Sequence, residues 1–201
     1  MDNRHRPHEK LRPQAFHPLG KRGQLDVPTS MDAITPVWLT KALQVKEILP
    51  PGCRITKVKA QPVGGEGKGM MSEMALLDLT FERDAPTSVP RRLVAKLSPK
   101  SDSALPQWVV KQQFRQEAHF YNDFTVESGG LPRPECYVAL EGRTLIGRPI
   151  FCMLLEYVAK ATMCTRVRSC SDLERLHRVM AALATLHARW WAHPRAAPIE
   201  A

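Results

Sequence analysis

The chain has 201 residues, 43% of them apolar and 24% charged, which suits one globular domain or two small lobes with a sizeable core. No apolar run approaches the roughly 20 residues of a bilayer span, and the basic N-terminus lacks the apolar centre of a secretory signal. The formal net charge of +9 raises nucleic-acid binding, but the basic residues are scattered and no basic stripe interleaved with aromatics appears.

Residues 1–30 read as a basic tail, disordered or loosely docked. Thr35 followed by Pro36 opens a helix, with Thr35 as its cap and Pro36 in the first turn. Leu39, Leu43 and Ile48 continue it until Pro50-Pro51-Gly52. Residues 54–62 alternate enough for a strand. A glycine cluster follows, Gly64-Gly65-Glu66-Gly67-Lys68-Gly69, and then residues 74–81 as a second strand. Asp78 and Glu73 alternate with apolar residues there and are expected to face solvent. After a turn over 84–90, residues 92–97 form a third strand, so the first three strands read as an antiparallel meander.

Residues 106–124 form the next helix, with Val110, Phe114, Glu117 and Tyr121 on one face. Two more strands follow, over 136–140 and 150–155, the second apolar enough to be central in a sheet. Ser171 to Glu174 is a capping box, and Leu176, Met180, Leu183, His187 and Trp190 lie on one stripe of the last helix. His187 on that stripe reads as a packed, hydrogen-bonded core histidine. The five cysteines, at 53, 136, 152, 164 and 170, have neither framework nor zinc spacing. They point to a reducing, cytoplasmic setting.

Two charges sit in apolar contexts, Lys96 on the third strand and Glu117 on the helix after it. The bland reading of Lys96 is an edge strand whose lysine points at water and blocks pairing between sheets. The other reading is an ion pair with Glu117, since each charge would be costly to bury alone. A glycine-rich turn upstream lets backbone N–H groups approach an anion closely, although such a cluster is often only a turn. Glycine loop, strand lysine and helix glutamate together are the parts that hold a nucleotide's phosphates in a kinase.

In this arrangement the chain resembles the protein-kinase-like fold, specifically the aminoglycoside phosphotransferase and choline/ecdysteroid-kinase-like group of small-molecule kinases. The matching stretches are ITPVWLTKAL, VGGEGKGMMSEMALLDLTF, RLVAKL, FRQEAHFYNDF, LPRPECYVAL, MLLEYV and LATLHARWWAHP, spanning about residues 31–194. The resemblance implies an α+β N-lobe, a five-stranded antiparallel sheet with one αC-type helix, over residues 31–160 including the hinge. Residues 161–201 would then begin a helical C-lobe. It implies ATP with magnesium, and transfer of the γ-phosphoryl group to a hydroxyl of an unidentified small molecule. Gly65, Gly67 and Gly69 would cover the phosphates, Lys96 would contact the α- and β-phosphates, and Glu117 would orient Lys96. Val94 would pack on the adenine, Leu155 would be the gatekeeper, and Glu156 to Val158 would offer backbone hydrogen bonds to the base.

The sequence departs from the family in two places. Met70 stands where a third glycine of a GxGxxG loop would fall, and the loop is not a Walker A sequence. The family's catalytic aspartate and its magnesium ligands belong to a part of the C-lobe that these 201 residues do not reach, and His187-Ala188-Arg189 is not a substitute for it. The resemblance therefore names no catalytic base and no metal ligand, and the chain alone is expected to be inactive. The alternatives are a non-catalytic pseudokinase or interaction protein, and a basic nucleic-acid-binding module. With the last helix's stripe uncovered, self-association is expected. No membrane partner and no specific nucleic acid is expected.

Overall fold

The computed structural model describes residues 25–63, 72–82, 85–99, 106–123, 133–159 and 173–191. It is an α+β fold in which a five-stranded antiparallel sheet carries helices, with the strands in the order β1-β2-β3-β5-β4. The strands are β1 (Ile55–Pro62), β2 (Glu73–Phe81), β3 (Arg92–Leu97), β4 (Cys136–Arg143) and β5 (Pro149–Glu156). The helices are α1 (Pro36–Val45), α2 (Gln107–Asp123) and α3 (Leu173–Trp190), with a 3₁₀ turn at Met31–Ala33.

Alternation along the strands divides the sheet into two faces. On one face Leu77, Leu93, Ala95, Leu97, Cys152 and Leu154 are buried, and α1 packs there through Leu39 and Leu43. Burying a leucine fully is worth roughly 1.5–3 kcal/mol, so these two side chains contribute strongly to holding α1 on the sheet, with Ala42 buried beside them. The helix begins as its sequence dictates: Thr35 Oγ1 accepts from Trp38 N–H at 3.2 Å, and Pro36 stands at the first helical position. It ends at Val45, earlier than the apolar spacing through Ile48 suggests. Glu47 takes a left-handed conformation with φ 57°, and Ile48 N–H donates back to Leu43 O at 2.9 Å. That bond belongs to a Schellman closure, normally completed by glycine.

The packed chain also begins earlier than the tail boundary at residue 30 suggests. Pro28 is buried, and Leu25 and Val27 pack against the α1-side core. Trp38 Nε1 donates to Asp26 O at 2.7 Å. Gly142 on β4 makes room for this segment, because a Cβ there would lie 2.9 Å from Val27 Cγ2.

The opposite face holds a smaller core of Phe114, Phe151, Met153 and Leu155, with Val94, Ala118, Tyr121, Cys136 and Ala139 around it. Helix α2 supplies Phe114, Ala118 and Tyr121 to this core. The sheet is thus sandwiched between α1 and α2. Strand β5 is an interior strand, between β3 and β4, as its apolar run requires, with five consecutive buried residues.

Helix α3 differs from the sequence reading. Leu176, Val179, Met180 and Leu183 are exposed, and His187 is exposed rather than packed. An amphipathic stripe records which face seeks cover, and among the described residues none forms a core with it. Ser171, Cys164 and Cys170 lie outside the described residues.

Candidate functional site

The edge-strand reading of Lys96 fails, because β3 is the middle strand of five, paired with β2 on one side and β5 on the other. A lysine at such a position cannot serve to block an edge. It projects onto the α2 face, where its ammonium forms an ion pair and hydrogen bond with Glu117 Oε2. The lysine and glutamate side chains are only 19% and 29% exposed, so the pair is largely withdrawn from water. Helix α2 presents Glu117 there because its Phe114 anchors on the sheet one turn earlier.

The strand register builds three rows across this face. Lys96 lies between Met74 on β2 and Met153 on β5. One pleat back along β3, about 7 Å away, Val94 lies between Leu76 and Leu155. One pleat further, Arg92 lies opposite Asp78. Its guanidinium bonds the Asp78 carboxylate at 2.6 Å and stacks over the Tyr157 ring at 4.9 Å. Gln61 Nε2 adds a 3.2 Å bond to Asp78. Asp78 therefore serves a polar ladder spanning β1, β2 and β3, not solvent alone. The Asp78 bond holds the Arg92 guanidinium above its ordinary pKa.

Charge, apolar strip and polar ladder thus follow one another along a single sheet face. Val94 and Leu76 are half-buried and keep part of their apolar surface exposed, while Leu155 is buried in the α2-side core. The first row offers a cation held in place by a carboxylate. A flat heteroaromatic ring on the strip would leave an attached anionic group within reach of the ammonium.

Glu156 and Val158, expected at the hinge, are exposed at the end of β5 and just after it. Glu156 N–H donates to Glu135 O at 2.8 Å, and its carboxylate accepts from Glu135 N–H at 3.1 Å, tying the end of β5 to the approach of β4. Burial and then the neighbouring Glu156 charge raise the Glu135 carboxyl pKa. Gly65, Gly67 and Gly69 lie outside the described residues, as does the Val110 side chain. The β1 and β2 ends that flank the glycine segment are hydrogen-bonded neighbours, with Val63 N–H donating to Met74 O at 3.0 Å. The segment therefore leaves and re-enters the sheet beside Met74, in the row that holds Lys96.

Reading the sequence alone missed the aromatic support of this row. Phe114 stacks on Phe151 with ring centroids 4.7 Å apart and planes 11° from parallel, and the Lys96 ammonium sits 5.5 Å from the Phe114 centroid. The available signal was an aromatic residue one helical turn before Glu117 on the same stripe.

No protein-family model matches this chain, and no curated protein matches it in sequence.

Proposed function

We propose that this chain is the ATP-binding part of a small-molecule phosphotransferase of the aminoglycoside-phosphotransferase and choline/ecdysteroid-kinase-like kind, built on a kinase-like N-lobe. The observation that carries the reading is the Lys96–Glu117 pair on the middle strand, in the row beside which the glycine-rich segment leaves the sheet. Keeping two charges out of water is costly, and replacing such a pair by apolar residues is often neutral or stabilising. A structural role alone gives little reason for the pair, whereas a polyanionic ligand does.

In this reading the adenine packs on Val94, Leu155 is the gatekeeper, and the stretch Glu156 to Val158 offers the base backbone hydrogen bonds. Gly65, Gly67 and Gly69 close over the phosphates. Lys96 neutralises the α- and β-phosphates, and Glu117 keeps the ammonium aimed there instead of letting it swing into water. Magnesium, which the resemblance implies, would accompany the nucleotide's phosphates; among the described residues no group of three His, Cys, Asp or Glu side chains converges on a point. When bound, it would neutralise charge on the phosphates of the nucleotide. Neither Lys96 nor Glu117 takes a proton from an acceptor hydroxyl, so these residues are assigned nucleotide binding and not turnover. The acceptor would be a small molecule bearing a hydroxyl group. We place the protein in the cytoplasm on its cysteine content.

The alternative, a non-catalytic interaction protein of the same fold, is favoured by the exposed apolar face of α3. Calorimetric titration of Mg-ATP into the full chain separates these readings. The nucleotide reading expects saturable binding that Lys96→Ala or Glu117→Ala weakens about tenfold or more, the loss of one charge-assisted contact. A nucleic-acid module would instead bind polyanions with a steep salt dependence and ignore Lys96→Ala. An interaction protein would do neither.

A further inference from the structure

We propose that Phe114 is a positioning residue for Lys96, so that the ammonium is held by a ring and a carboxylate projecting from one turn of α2. This rests on the nucleotide reading above. Phe114 is 3% exposed and stacks on Phe151 of β5, so its ring is fixed to the sheet and not free to rotate away. The Lys96 ammonium lies 5.5 Å from the centroid of that ring, within the distance at which a ring's quadrupole attracts a cation. Glu117 follows Phe114 by three residues, so both groups project from the same side of the helix.

The two partners act differently on the lysine. A carboxylate alone leaves a flexible four-carbon side chain free to pair from several rotamers. The ring face removes that freedom by supplying a second point of attraction whose position the stack with Phe151 sets. The arrangement also ties the lysine to the seating of α2, because a shift of the helix off β5 displaces ring and carboxylate together. Phe114 therefore affects phosphate binding only through Lys96, and its substitution is silent where Lys96 is absent.

Two readouts on the full chain test this. The first needs no nucleotide: a carbon–proton spectrum of the chain labelled at the lysine ε-carbons, with the Lys96 signal assigned by Lys96→Arg. The expected result is an upfield Lys96 ε-proton signal that loses its offset in Phe114→Leu. A Lys96 signal coincident with those of exposed lysines overturns the proposal. The second replaces Phe114 with mono-, di- and trifluorinated phenylalanine, which nearly keep the ring's shape while draining its negative face. Mg-ATP affinity is expected to fall in steps, to roughly 3- to 10-fold weaker at trifluorination, and not to change further in a Lys96→Met background. Equal weakening in both backgrounds overturns the proposal by showing a packing effect alone. If the upfield signal is present but Mg-ATP binds neither background, the ring–lysine contact stands and the nucleotide reading fails.

Discussion

Lys96 and Glu117 stand out because isolated charges inside apolar patterns need a partner, and this pair is legible from spacing and cost alone. What spacing could not show was the ring beneath them, since a stack between α2 and β5 depends on how a helix settles on a strand 37 residues away in sequence (Phe114 and Phe151). The thiols on the sheet carry a further consequence. Burial pushes the Cys136 thiol up to about 12, and burial with the neighbouring Glu135 and Glu156 charges pushes the Tyr137 hydroxyl up to about 12. Burial raises Cys152 as well. Each group holds its proton in the folded chain at a pH where the unfolded chain has lost it. Their contribution is therefore complete below about pH 9 and is lost as pH climbs toward 12. Urea unfolding at pH 8 and pH 10.5 should show a marked drop in stability at the higher pH. Cys136→Ala should make that drop shallower, and an unchanged drop would mean the thiol is not buried as described.

The secondary structure was largely readable because each element carries its own period. Strand β2 alternates buried and half-buried residues over most of its length, and α1 announces its start with Thr35 and Pro36. Its end was not readable, because the closing residue Glu47 is a poor candidate for a left-handed conformation. That mismatch gives a prediction: Glu47→Gly should stabilise the chain by about 0.5–1 kcal/mol, measured as a higher urea midpoint at unchanged slope. A lower midpoint would show that the glutamate side chain contributes more than its backbone costs. The pairing of β3 with β5 was the harder step, since it joins segments separated by a whole helix. It is this pairing, not either strand alone, that puts Val94 beside Leu155 and Lys96 beside Met153.

At the scale of the molecule, the five-stranded antiparallel sheet between α1 and α2 accounts for both cores. The last helix is where sequence and structure part. Its stripe of Leu176, Met180 and Leu183 reads as core, yet these side chains and Val179 and His187 are exposed. Periodicity reports the face that gains from burial, while burial itself requires a surface to meet it. An uncovered apolar face in water favours association. Sedimentation of the 201-residue chain should therefore show mass rising with concentration, and Met180→Glu with Leu183→Glu should restore a monomer. A wild-type monomer at every concentration would contradict this. Among the described residues no helix is long and apolar enough to cross a membrane, so the exposed face is not read as a span.

The central claim is that one sheet face, organised around Lys96, holds a nucleotide. Hydrogen–deuterium exchange of the full chain with and without Mg-ATP tests it most directly, because it reports where a ligand sits as well as whether it binds. Slower exchange is predicted in residues 63–74 around the glycine segment, along β3 and at 156–158, and in Lys96→Ala the same protection is predicted to need about tenfold more Mg-ATP. Protection confined to scattered basic segments, or none at saturating Mg-ATP, would contradict the claim.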